Sequence, residues 1–332
     1  MSTYPSAVKL TKQFLMDTFT EKDLHYQWGT NILYLAWDTS MLWDQYCIMR
    51  LCVIYRGRAI PLVWEVVAHG SSSVTFAAYR SLLDKALTLI PINCPVVFLA
   101  DRGFADTELM DYVSQTLHWH WRIGIKSSFL VYRQGKRMVK VGNILLKRGQ
   151  ARFWHNVTIT GNRFGPVHLA LAKPHSVKET WLIVSEQPTD VTTFDEYGLR
   201  FDIEENFLDD KSNGFQLESS LIRSADALTR LCFVLALTTW FLVCQGTEVV
   251  ETNKRRWVDA HWFRGSSYLQ IGGKWVKRVL AVGYKKGYEL IRQLRLSPLP
   301  DPELAMASRK QAKERTRLRF SVCFEQFSFS AS

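Results

Sequence analysis

YGLRFDIEENFLDDK, residues 197–211, sets four side chains at fixed intervals: Tyr197, Arg200, Glu204 and Lys211. Read as one continuous helix at about 100° per residue, the four fall within about 60° of one another. Leu199, Phe201, Ile203, Phe207 and Leu208 bracket that face, while Asp202, Glu205, Asn206 and Asp209 lie on the opposite side. An amphipathic helix keeps charge off the face it buries, because an unpartnered buried charge costs several kcal/mol. Each of the four therefore needs a partner, a metal ion or a bound anion. A buried ion-pair network would satisfy the same pattern, but it would leave the acids upstream unexplained.

Those acids are Asp38 and Asp101. Runs at NILYLAWD, YCIMRLCVIYRG and AIPLVWEVVAHG are apolar, rich in β-branched and aromatic residues and broken by Arg-Gly turns, which predicts a three-stranded meander. Val74 to Ile90 has helical spacing, and VVFLAD after Pro91 and Pro95 is a short continuous apolar run, the pattern of a strand buried on both faces. Asp106 to Leu117 is the next helix, and WHWRIGIK the next strand. Asp38 and Asp101 are thus expected to end two neighbouring strands, the place where open α/β sheets carry their functional groups. Two carboxylates there suit a hard cation, since magnesium favours oxygen ligands and takes only one or two from protein. A cap or turn role is the plainer reading of each aspartate alone.

Charge is segregated. The chain has 332 residues, 47% of them hydrophobic, and a net charge of +11. Residues 126–181 hold 11 Lys/Arg against one Asp/Glu, residues 251–332 hold 17 against 7, and the remainder is acidic by nine charges. Basic stretches attract a polyanion such as DNA, and the acidic remainder suits a cation. A solvated basic face would give the same count. Cys47, Cys52, Cys94, Cys232, Cys244 and Cys323 form no CxxC pair, so neither a zinc site nor a disulfide framework is indicated, and a reducing compartment fits. His118 and His120 alternate around Trp119 without other metal-ligand spacing, and Gly272-Gly273-Lys274 lacks the Walker spacing, so no nucleotide cofactor is implied. The apolar stretch Leu231 to Cys244 is shorter than the roughly 20 residues that span a bilayer, and reads as a buried helix.

The spacing of Tyr197, Arg200, Glu204 and Lys211 resembles the Y-(2)-R-(3)-E-(6)-K signature of bacterial insertion-sequence transposases of the DDE class, insertion-sequence family four. LAWD, ending at Asp38, resembles that family's first-aspartate motif, and ADRGF, residues 100–104, its second. The resemblance runs from about residue 30 to about 290. It implies an α/β fold: an RNase H-like catalytic core interrupted by a basic β-rich insertion, followed by a helical, basic C-terminal region. The expected organisation is a short N-terminal segment at 1–29, the first half of the core at 30–125, the insertion at 126–190, the second half carrying the catalytic Glu at 191–250, and the basic helical region and tail at 251–332.

The resemblance further implies that Asp38, Asp101 and Glu204 are the catalytic, metal-binding triad. Mg2+ would be the cofactor, with Mn2+ able to substitute. Tyr197, Arg200, Lys211 and Arg102 would contact DNA, and Trp181, in a segment resembling the strand that ends the insertion, would stack on a base flipped out of the duplex. The expected partners are double-stranded DNA, at insertion-sequence ends and at the target, and a second copy in a homodimer on DNA. The expected location is bacterial cytoplasm, on the nucleoid. Family members usually place an end-recognising domain before the first aspartate, whereas 37 residues precede Asp38 here. A second expectation follows: a catalytically idle, shortened transposase that binds DNA or inhibits full-length copies.

Overall fold

The structure is a computed structural model, and it describes residues 32–174, 179–259, 266–283, 288–291 and 296–297, with the backbone of 321–325. The expected N-terminal segment at 1–29 lies outside the described residues. The chain forms two compact units: unit 1 is Met1–Leu33, Thr39–Pro95 and Asp202–Lys313, and unit 2 is Tyr34–Asp38, Val96–Phe201 and Glu314–Ser332.

In unit 1, strands β2 (Tyr46–Tyr55) and β3 (Arg58–Ala68) form an antiparallel hairpin. Arg56 and Gly57 close it with φ of 49° and 69°, the left-handed pair whose twist matches a two-residue hairpin loop. The register shifts between Leu51 and Cys52, opposite Pro61, which has no N–H to give the ladder. Helix α1 (Phe76–Leu89) buries Phe76, Tyr79, Leu82, Leu83 and Ala86.

The later helix α5 (Ala225–Glu251) is capped by Ser224, whose hydroxyl accepts from the Ala227 N–H. At 27 residues it is longer than the Leu231–Cys244 run suggested, and it is long and apolar enough to cross a bilayer by length and composition. Within unit 1 it buries Leu228, Cys232, Trp240 and Val243, and its Thr229 carbonyl accepts from Trp64 Nε1 at 2.9 Å. It crosses α6 (Tyr268–Val282) where Gly246 meets Gly272, and any Cβ on either glycine would collide with the other helix's backbone.

In unit 2, residues 34–38 of β1 (Leu33–Leu42) begin a sheet that continues through β4 (Val96–Ala100), β5 (His120–Gly124) and β10 (Trp181–Ser185). Beyond β10 come β9 (Phe164–Lys173), β8 (Gln150–Ile159), β6 (Leu130–Tyr132) and β7 (Val139–Lys140). Every residue of β4 is buried, as its unbroken apolar run requires. Helix α2 (Thr107–Gln115), capped by Asp106, links β4 to the parallel β5. The strands of the basic segment 126–190 extend this sheet, because β10 pairs antiparallel with both β5 and β9. In the C-terminal stretch read as helical and basic, the backbone of β11 (Ser321–Glu325) pairs parallel with β8.

Candidate active site

The pairing of strands places the two aspartates. The Leu33 N–H donates to the Pro95 carbonyl at the entry to β1 and β4, so these neighbours run parallel, and counting along both from that bond sets Asp38 opposite Asp101. The β4–β5 register, Leu99 opposite Arg122, extends the row to Gly124, and β10 adds Ile183. Side chains of one row share a face of the sheet. Asp101 stands where β4 ends, and its Oδ1 accepts from the Gly103 N–H at 2.7 Å, starting the 3-10 turn Arg102–Phe104. Asp38 departs from expectation: β1 runs on to Leu42, so Asp38 lies inside the strand and not at its end. Burial does change there, from the buried run Leu35–Trp37 to a half-exposed stretch that begins at Asp38.

Gly124 completes the row for a steric reason. A Cβ at that position would collide with the Tyr197 hydroxyl and would lie 3.0 Å from the Arg102 backbone nitrogen. The phenol of Tyr197 therefore reaches the row that holds the two aspartates. One row back on the same face, buried Arg122 pairs with Glu196 and donates to Ser185 Oγ at 3.3 Å. The Tyr34 hydroxyl donates to Glu196 at 3.1 Å, and burial with the adjacent carboxylate holds that phenol's pKa well above its usual value. Glu196 precedes Tyr197 on helix α3 (Thr192–Gly198), so β1 and β5 together seat the residue beside the tyrosine. Sequence patterning does not mark Gly124, Arg122, Glu196 and Tyr34 as functional. The available signal was an arginine inside the apolar run WRIG.

The segment 197–211 is not one helix. Helix α3 ends at Gly198, the Leu199 and Arg200 amides bond to carbonyls three residues back, and helix α4 (Phe201–Leu208) starts anew before a π-turn at Asp209–Asn213. The single-helix reading fails there. In unit 2, Tyr197 and Arg200 are buried, and the Arg200 guanidinium lies 4.4 Å from the Phe201 ring centre and 5.7 Å from that of Tyr197. In unit 1, the face of α4 that packs is Ile203, Asn206 and Phe207, continuing to Asp210, and Glu204 is exposed. Asn206, expected on the outer side, is buried because Arg50 of β2 comes to it: Nη1 donates to Asn206 Oδ1 and to Asp210 Oδ2, both at 2.6 Å. Burial disfavours the Arg50 cation most, but Asp210, Cys232 and Cys52 together favour it more, and the net pKa shift is upward. Lys211 is half-buried, and burial lowers its ammonium pKa against the opposing pull of Glu218 and Asp44.

Trp181 opens β10 and is half-exposed, with ring centres 6.2 Å from Phe194, 6.1 Å from Tyr197 and 5.9 Å from Phe201. Arg102 is exposed, with its Nη1 3.9 Å from Glu179 Oε2. His120 pairs with Glu186, whose other oxygen accepts from Ser114 Oγ at 2.7 Å.

No group of three or more His, Cys, Asp or Glu side chains is gathered as a ligand set among the described residues. The opposed carboxylates of Asp38 and Asp101 are hard oxygen donors, and a magnesium ion takes one or two such groups. That pair fits a divalent cation.

Comparison with curated proteins finds no match. A cryo-EM structure of a piggyBac transposase synaptic complex with hairpin DNA is similar over 91% of this chain and 60% of that chain, at 9% identity and a TM-score of 0.41. This chain therefore spans 60% of that chain's length. The family profile described as Transposase DDE domain matches residues 43–241, a range that holds Asp101, Tyr197, Arg200, Glu204 and Lys211 and begins just after Asp38. Because that match covers more than half of the 332 residues, this chain belongs to the family of DDE-domain transposases.

Proposed function

We propose that this chain is a DNA transposase of insertion-sequence family four, catalysing metal-dependent strand cleavage and strand transfer at insertion-sequence ends. The observation that carries the reading is the row of Asp38, Asp101 and Gly124, with the Tyr197 hydroxyl beside it. Asp38 and Asp101 would hold the metal, and Glu204 is taken as the third ligand on the strength of the signature spacing. Mg2+, or Mn2+ in its place, would activate the attacking water or DNA 3′-hydroxyl and stabilise the leaving oxygen when bound. Phosphoryl transfer depends mostly on positioning and electrostatics. Tyr197 supplies a hydroxyl to a phosphate beside the aspartates, and Arg200, Lys211 and Arg102 supply positive charge to the DNA backbone. Trp181 offers the exposed part of its ring to an extruded base. The reading includes a homodimer on double-stranded DNA and a place on the bacterial nucleoid.

The alternative reading is a catalytically idle chain that binds DNA or inhibits other copies. Nicking of supercoiled plasmid with magnesium separates the two. The active reading expects nicking that falls about a hundredfold or more in Asp38→Asn, Asp101→Asn and Glu204→Gln while Glu205→Gln stays near wild type. DNA binding without any nicking by the unaltered chain would establish the idle reading.

A further inference from the structure

Beyond the part matched by the family profile, unit 1 carries an aromatic cluster ringed by cations. Trp257 is 47% exposed. Its ring centre lies 6.2 Å from that of Trp275 and 5.2 Å from that of Tyr288, and those two are 5.1 Å apart. The other members are fastened from beneath: Trp275 is 2% exposed and its Nε1 donates to the Glu289 carbonyl at 2.8 Å. Trp257 is the last residue of the 3-10 turn Arg255–Trp257, and Arg255 is itself locked to Asp259 at 3.0 Å.

Charge gathers at the same place. Lys254 Nζ is 5.8 Å from the Trp275 ring centre, and the Arg278 guanidinium carbon is 5.6 Å from that of Tyr288. Arg256, Lys274, Lys277 and Arg278 are exposed. The acids among residues 251–259, 266–283 and 288–291 are Glu251, Asp259 and Glu289; Glu251 is engaged by Arg56 at 2.8 Å and Asp259 by Arg255 and by Lys274 at 3.8 Å, while Glu289 is exposed. Trp257 is the exposed ring of the cluster, and Lys254 and Arg278 stand against the two rings it packs on.

We propose that Trp257, with Lys254, Arg256 and Arg278, is a binding platform for unpaired DNA, on which a base stacks on the indole and the flanking phosphates meet the cations. The two components select this occupant. An acidic protein would use the charges and leave the indole idle, and a duplex keeps its base faces stacked inside. A single strand offers both a π-face and phosphates every nucleotide, and such stacking is tolerant of base identity. The proposal does not depend on the cleavage reading.

The test is fluorescence anisotropy of a labelled oligodeoxythymidine and of a duplex of equal length, binding the full chain in EDTA, where no metal-dependent cutting occurs. Trp257→Ala is expected to weaken single-strand binding by about tenfold or more, and Trp257→Phe to retain most of it. Duplex binding should change less than threefold in both. Arg256→Gln and Arg278→Gln should reduce the salt dependence of single-strand binding. Melting curves accompany each variant. Unchanged oligonucleotide binding by a normally folded Trp257→Ala chain overturns the proposal. So does equal loss of single-strand and duplex binding together with a collapse in melting temperature, which would make Trp257 a packing residue. Concentration-dependent self-association that vanishes in Trp257→Ala, with oligonucleotide binding intact, would assign the patch to a second copy of the chain instead. Since no cleavage is read, loss of plasmid nicking in Asp101→Asn leaves this result standing.

Discussion

A missing side chain is what Gly124 contributes to the row it shares with the aspartates. Gly124→Ala puts a methyl group where the Tyr197 hydroxyl and the Arg102 amide already are. Neither can retreat easily, since Tyr197 follows the tethered Glu196 and Arg102 belongs to the turn capped by Asp101. Overpacking of this kind costs about 1–3 kcal/mol. A fall of a few degrees in melting temperature is expected, and Tyr197→Phe in the same chain should recover most of it by removing the colliding atom. If the double variant melts no higher than Gly124→Ala, the clash lies elsewhere. A second residue makes a pH prediction. Burial, with His155 alongside at 5.2 Å between ring centres, lowers the pKa of His168 from 6.5 to about 4. The unfolded chain takes up that proton near its ordinary pKa and the folded chain resists, so the neutral ring's stabilisation is complete above about pH 6.5 and is lost as pH falls toward 4. Urea unfolding at pH 7 and pH 4.5 should show a loss on the order of 1–2 kcal/mol attributable to this group, and His168→Gln should shrink that difference. An unchanged pH dependence in His168→Gln would sink the assignment.

Helix α4 shows what a sequence wheel can see and what it cannot. The strands around the aspartates were legible because continuous apolar runs between turn residues admit few other readings, and VVFLA is buried along its whole length. The Tyr197, Arg200, Glu204 and Lys211 spacing was legible as chemistry. The shape beneath it was not. A wheel assumes one axis, and Leu199–Arg200 breaks it without a proline, through three-residue turns after Gly198. Nor can a wheel know that Arg50 arrives from β2 to pair with Asn206 and Asp210, which turns two polar residues inward and leaves Glu204 exposed. The run ending at Asp38 turns polar there, which suggests a strand end, yet the strand continues to Leu42. The Arg50 pair is nearly inaccessible, at 0% and 1% side-chain exposure. Arg50→Met would strand the Asp210 carboxylate, at a cost of about 3–5 kcal/mol. Pairing Arg50→Met with Asp210→Leu removes the stranded charge, so the double variant should regain most of that loss in urea unfolding with an unchanged slope. A double variant as unstable as Arg50→Met alone would mean that the shape of the arginine, stacked 4.9 Å over Phe207, and not the charge pair, anchors α4 to β2.

Across the whole chain, the charge balance makes a claim about recognition that single residues cannot. Residues 126–181 and 251–332 together carry 28 of the 42 Lys/Arg, while the segments with Asp38, Asp101 and Glu204 are acidic on balance. Contacts to phosphate give affinity without sequence information, and contacts to base edges give sequence information. The features of the chain that suit DNA are of the first kind. Exposed Arg102 beside the aspartates and the cations around Trp257 all suit phosphates. Binding of insertion-sequence ends and of scrambled duplexes is therefore expected to agree within about tenfold, and both should weaken steeply between low and moderate salt. The tail beyond Pro300 contributes Arg309, Lys310, Lys313, Arg315, Arg317 and Arg319, which lie outside the described residues. Removing it should flatten the logarithmic salt slope by up to about 0.9 for each of these side chains that neutralises a phosphate. Competition binding at two salt concentrations, with and without the tail, reads both effects at once. A thousandfold preference for the element's own ends would defeat the electrostatic account, because phosphate contacts cannot produce it. It would locate base readout in the segment before Asp38 or in the strands of 126–190. An unchanged slope after truncation would leave end and target affinity to the Lys/Arg of 126–181 and to those around Trp257.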